Sequence, residues 1–179
     1  MSVTYPLGFR ARGVQAGLRT KPAPDLALIV NDGPRDTVAG VFTTNRVSAA
    51  PVQWSRQVVS DHKARAVIAN AAVANACTGI DGLTDSQCEA EHVATLVGCQ
   101  TDEVVVASTG VIGVRLDMPS ILVGATTAHT SLDRGDAVDE SAARAIMTTD
   151  TVPKTATVER NGTRFGGIAK GAGMLAPQL

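Results

Sequence analysis

The chain has 179 residues, of which 44% are hydrophobic and only 3% aromatic, with a formal net charge of −1. That hydrophobic share excludes intrinsic disorder, and the missing basic surplus excludes nucleic acid or an anionic membrane surface as a partner. With so few aromatics, the core must be built from Ala, Val, Leu and Ile at close range.

The N-terminal stretch MSVTYPLGFRARG lacks the unbroken apolar segment of a signal peptide. No apolar run approaches the roughly 20 residues that span a bilayer, so a soluble cytoplasmic protein is expected. Leu26–Val30 and Val38–Phe42 are short apolar runs around the turn residues Asn31-Asp32-Gly33-Pro34, which predicts a pair of strands. Pro51 to Ser60 predicts a short helix with proline in its first turn, and Arg65 to Asn70 a strand. The Ala-, Asn- and Gly-rich stretch from Ala71 to Gly82 predicts a loop. Thr84-Asp85-Ser86-Gln87 has the form of a capping box opening a helix to about Val97, with Val93, Leu96 and Val97 on its apolar face. Val104-Val105-Val106 predicts a buried strand, followed by helices over Pro119 to Thr130 and Val138 to Met147. Lys154–Glu159 and Thr163–Ala169 flank Asn161-Gly162, a β-hairpin signal. No repeat or linker interrupts the chain, so residues 1–179 read as one α/β unit of layered mixed sheets and helices. The three cysteines, Cys77, Cys88 and Cys99, are odd in number and lack C-x-x-C spacing, which predicts free buried thiols in a reducing compartment.

The chain carries no complete catalytic set of its own. His62, His92 and His129 stand alone, and neither an H-E-x-x-H nor a G-x-S-x-G pattern occurs, so no metal and no serine-hydrolase site is expected. Asp32, Asp36, Asp81 and Asp85 read as turn or cap residues. Three polar clusters remain. Ser108-Thr109-Gly110 follows a buried strand, where a hydroxyl beside a glycine N–H can form an oxyanion hole, or simply end the strand in a turn. Met147-Thr148-Thr149-Asp150-Thr151 follows a helix and either satisfies its C-terminus or binds a small polar ligand. Lys170, between Ala169 and Gly171, either aims its ammonium into a cleft or is a solvated charge.

These clusters lie within five segments, FTTNRVSAAPV (Phe42 to Val52), NAAVANACTG (Asn70 to Gly79), VVVASTGVIG (Val104 to Gly113), IMTTDTVPK (Ile146 to Lys154) and GGIAKGAGMLAP (Gly166 to Pro177). Together and in this order they resemble the ornithine acetyltransferase family, the bifunctional glutamate N-acetyltransferases, from about Leu7 onward. The resemblance implies an α chain cut from a precursor by autoproteolysis before a threonine, with Gly171, Gly173, Pro177 and Leu179 in the cleavage region. In that family the cut lies in a P-x-x-A-T context, so Leu179 stands one residue short of it. The new N-terminal threonine of the β chain would be the nucleophile, with its own α-amine as base. Its chemistry would be ping-pong transfer of acetyl from N-acetylornithine to glutamate, releasing ornithine. Thr109 and Gly110 would stabilise the oxyanion, and Thr148 and Lys170 would contact the amino-acid substrate. An α2β2 heterotetramer is implied, with no metal, nucleotide or other cofactor.

One segment departs from the family pattern. Where the resemblance leads one to expect Asn-Ser-Gly-Asn, the chain has Asn70-Ala71-Ala72-Val73, which points toward a paralogue serving another pathway, such as secondary metabolism. Two other readings are a self-processed aminopeptidase or amidohydrolase, with water as acceptor, and a non-catalytic binding or assembly protein. The α-chain reading predicts that residues 1–179 produced alone expose a large apolar patch and aggregate. A soluble monomer in sedimentation velocity would contradict it.

Overall fold

The computed structural model describes residues 1–173. Four short strands form one sheet in the order β1 (Phe9–Val14), β2 (Leu26–Asn31), β3 (Ala66–Asn70), β4 (Val104–Ser108). The first three run antiparallel, while β3 and β4 are parallel, with Ala66 opposite Val104 and Asn70 opposite Ser108. A parallel pair needs a crossover, which here contains helix α2 (Gly79–Val97).

Alternation along β2 sorts its side chains to two faces. Leu26, Leu28 and Val30 join Ile68, Val104 and Val106 against Ala90 and Val93 of α2 and against Ile121, Ala125 and Ala128 of α3 (Met118–Thr130). Ala27 faces the other way, with Ala11 of β1, onto Ala142 and Ala145 of α4 (Asp136–Ala145). Each fully buried Leu or Ile contributes about 1.5–3 kcal/mol, while the alanines let α4 approach closely. Helix α1 (Ala50–Val58) covers the open edge of β4: Trp54 Nε1 donates to the Val104 carbonyl at 3.0 Å, and Ser55 Oγ exchanges hydrogen bonds with the Val106 N–H and C=O. An edge strand is thereby closed to further pairing. The layered α/β architecture expected from the sequence is the one observed.

A second sheet is the hairpin of β5 (Lys154–Arg160) and β6 (Thr163–Ala169), joined by Asn161 and Gly162 at φ 51° and 74°. Both turn residues take the left-handed conformation that an Asn-Gly hairpin requires. The hairpin rests on the N-terminal residues: Tyr5 donates to Glu159 and stacks under the Arg164 guanidinium.

Four expectations need correction. Val38–Phe42 is not a strand, because both edges of β2 are already taken by β1 and β3; only Thr37 makes a lone bridge, to Lys63. Strand β1 is disguised in the sequence by Arg10 and Arg12. Helix α2 begins at Gly79, shortening the loop after Ala71, and Thr84 is no cap: its hydroxyl donates to the Ile80 carbonyl within the helix. Asp85 likewise lies inside α2, buried and paired through both oxygens with Arg115. The cysteines are free, but Cys77 is exposed and Cys88 and Cys99 are half-buried.

Glu89 of α2 is fully buried, and neither of its carboxyl oxygens has a partner among the described residues. Burial, aided by the Asp85 charge, pushes its pKa from 4.5 up to about 8. A folded-state value above the unfolded one stabilises the fold fully below the unfolded value, and that contribution is lost as pH rises through the folded one. Tm of the purified protein should therefore fall between about pH 5 and pH 8. Glu89→Gln should flatten that slope and be the more stable form at pH 8 by on the order of a few kcal/mol.

Candidate functional site

The parallel pairing of β3 and β4 continues past the ends of both strands. Thr109 N–H donates to the Asn70 carbonyl at 3.0 Å, Val111 N–H to Ala72 at 2.8 Å and Gly113 N–H to Ala76 at 2.8 Å. The segment after β4 is thus laid against the segment after β3, at the carboxyl ends of parallel strands where α/β folds place ligands. Gly110 sits between two donors already in use, and its own N–H has no acceptor among the described residues. Its φ of 136° suits glycine, and a Cβ there would lie 2.1 Å from the Ala72 carbonyl. A free backbone donor therefore stands beside the Thr109 hydroxyl.

Thr148 arrives from the turn after α4, and Lys170 from the residue following β6. The structure brings them together with Thr109: Lys170 Nζ donates to Thr109 Oγ1 at 2.8 Å and to Thr148 Oγ1 at 2.9 Å. A hydroxyl that accepts from an ammonium becomes a stronger donor in turn. Thr109 can thus offer its proton into the cavity that Gly110 also lines. Thr109, Gly110, Thr148, Lys170, Gly171 and Gly173 all line one open cavity of about 650 Å³. Pro177 and Leu179 lie outside the described residues.

Sequence reasoning missed Arg19, and it gave no separate role to Ala72 or Asp150. Arg19 lines the same cavity, held by Nη2 donating to the carbonyls of Ala145 and Met147 at the end of α4. Its backbone is fixed from the other side by the buried Asp25 carboxylate, which accepts the N–H groups of Ala16, Leu18 and Arg19. Nothing in the local sequence announces this, since the partners are more than 120 residues away. Ala72 lines the cavity at φ 91°, a conformation that favours glycine. Asp150, within the threonine cluster, is enclosed and hydrogen-bonded to Thr148, Lys154 and Gly171. Lys154 chiefly, with the Gly171 N–H next, holds its carboxyl well below the usual range. Among the described residues no group of His, Cys, Asp and Glu forms a metal-ligating cluster, and no helix is long and apolar enough to cross a membrane.

Comparison with known proteins matches residues 10–179 to the model of the ArgJ family. The arginine biosynthesis bifunctional protein ArgJ of Thermobifida fusca is 52% identical over the whole chain, and that of Streptomyces coelicolor also 52%. The chain spans only 46% of the length of each. Among solved structures, ornithine acetyltransferase from Mycobacterium tuberculosis, complexed with ornithine, superposes with a TM-score of 0.97 at 47% identity, covering 99% of this chain and 95% of that one. The arginine biosynthesis bifunctional protein of Bacillus halodurans superposes with a TM-score of 0.91 at 36% identity, covering 99% and 94%.

The tight fit of Gly110 against Ala72 is testable. Gly110→Ala should cost about 2–4 kcal/mol through the clash and the positive φ, whereas Ala72→Gly should gain about 1 kcal/mol by relieving its own left-handed backbone. Denaturant melts of both variants measure the two signs.

Proposed function

The chain belongs to the ArgJ family, and from that premise we propose that it is the α part of a glutamate N-acetyltransferase that takes acetyl from N-acetylornithine. The observation that carries the reading is the ammonium of Lys170 joining the Thr109 and Thr148 hydroxyls beside the unused N–H of Gly110. Such a site can bind an anionic amino acid and stabilise an oxyanion, but among the described residues no His, Cys, Asp or Glu lines it to activate one of its hydroxyls as a nucleophile. The nucleophile is assigned to the remainder of the protein, as the N-terminal threonine of a β chain released by autoproteolysis just after this segment. Curated relatives are roughly twice as long as this chain, while the matching chain of the solved ornithine acetyltransferase is of nearly this size. That contrast supports a precursor divided into two chains, and α2β2 is the assembly proposed for them.

In the first half-reaction the threonine Oγ attacks the acetyl carbonyl, and its proton passes through the α-amine to the departing nitrogen. The C–N bond breaks, ornithine leaves, and an acetyl ester remains on the enzyme. In the second, the amine of glutamate attacks that ester, the C–O bond breaks and the proton returns to Oγ. Thr109 and Gly110 hold the negative oxygen in both tetrahedral intermediates. Thr148 and Lys170 receive the polar end of the amino acid, the ammonium facing its carboxylate. Relatives at about half identity named for arginine biosynthesis support that pathway over a secondary-metabolism role, despite the departure at Ala71-Ala72-Val73.

The experiment is to express the full-length protein, take its intact mass, and incubate it with N-acetylornithine and glutamate. Two chains in equal amount, the second starting with threonine, are expected, with ornithine and N-acetylglutamate formed one for one. Thr109→Ala should lower kcat about 10²–10³-fold, corresponding to loss of one oxyanion donor. Acetate release without transfer would instead identify a hydrolase. An undivided chain that performs neither reaction would sink the enzyme reading and favour a binding protein.

A further inference from the structure

Thr148 and Lys170 come from different elements, 22 residues apart in sequence, yet both are secured by the same carboxylate. The Asp150 side chain is wholly enclosed. Its Oδ2 accepts the Thr148 N–H at 3.3 Å, and its Oδ1 accepts the Gly171 N–H at 2.7 Å together with the Lys154 ammonium. Lys154 is the first residue of β5 and pairs with Ala169, the last of β6. Asp150 thus fastens the turn after α4, the open end of the hairpin and the residue that follows Lys170 to one point.

We propose that Asp150 is the positioning residue of this site, fixing the Lys170 ammonium between the Thr109 and Thr148 hydroxyls by tethering the backbone on either side of it. Three donors converge on Asp150, so the group must accept only. An ionised carboxylate does so, whereas an asparagine would turn an NH2 toward one of the donors and release it. The tether falls where it is needed most, because Gly171 at φ 132° gives the backbone after Lys170 no side-chain restraint of its own. The hydrogen bond from Lys154, with that from the Gly171 N–H next, keeps the carboxylate ionised through the neutral range. The inference rests on the acetyl-transfer reading only where activity is the readout.

Its test is a double-mutant cycle on the full-length protein. Asp150→Asn should lower kcat/KM for acetyl transfer roughly 10–100-fold, the scale of a 1 Å misplacement. In a Lys170→Met background the same change should cost less than about threefold, because the group it positions is already gone. Losses that simply multiply would mark Asp150 as a general fold residue and overturn the proposal. Independently of activity, trace acylation with acetic anhydride, read by mass spectrometry, should label Lys170 several-fold faster in Asp150→Asn than in the unsubstituted protein. Equal labelling overturns the tether. If the unsubstituted protein transfers no acetyl group, the acetyltransferase reading fails while the labelling still decides the role of Asp150. Should the variant not fold, amide hydrogen exchange of the unsubstituted protein remains: slow exchange at both Thr148 and Gly171 is required, and fast exchange at either overturns the proposal.

Discussion

Everything in the site depends on the single parallel pairing in the sheet, between β3 and β4. Antiparallel strands end at opposite sides, so their following segments diverge. Parallel strands end together, and here the backbone bonding runs on from Asn70 and Thr109 to Ala76 and Gly113. That continuation turns two loops into one wall, with the Gly110 N–H left over from the pattern. The cost of a parallel pair is the crossover, which α2 supplies while also covering the core, and α1, placed before β3 in the chain, closes the β4 edge.

Against that wall two segments far apart in the chain bring charge. Lys170 and Arg19 both border the cavity, each held through hydrogen bonds to neutral groups rather than by an ion pair: two threonine hydroxyls for one, two helix-end carbonyls for the other. Neutral acceptors orient a cation without cancelling it. The positive charge thus stays available to an incoming carboxylate, whereas Lys154, paired with Asp150, is already neutralised.

What could be read from the sequence follows from the range of the forces involved. The helices α1, α3 and α4 and the strands β3, β4, β5 and β6 were legible because apolar periodicity, proline placement and the Asn-Gly turn act over a few residues. Val38–Phe42 has an equally good strand pattern, but pairing is decided by which edges of β2 are free, and no local pattern records that. The Thr84 box failed for a related reason: Asp85 and Ser86 are buried by tertiary packing, which carries the helix back to Gly79. Thr109, Gly110, Thr148 and Lys170 are legible as motif residues, whereas their proximity is not. Arg19 is not, because its partners are distant in sequence, and Asp150 shows only as part of a cluster, because its bond from the Gly171 N–H exists only once the hairpin has closed.

The N-terminal residues set the order of assembly. The Thr4 N–H is held by the buried Asp139 carboxylate at 3.0 Å, 135 residues downstream, and the Arg134 guanidinium reaches back to the carbonyls of Thr4 and Pro6. Tyr5 then braces the hairpin through Glu159 and Arg164. The sheet can gather from its neighbours in order, but residues 4–6 find these partners only when residues 134–164 are in place. The cavity has the same long reach: its lining runs from Arg19 to Gly173, so it is complete only when segments far apart in the sequence have met.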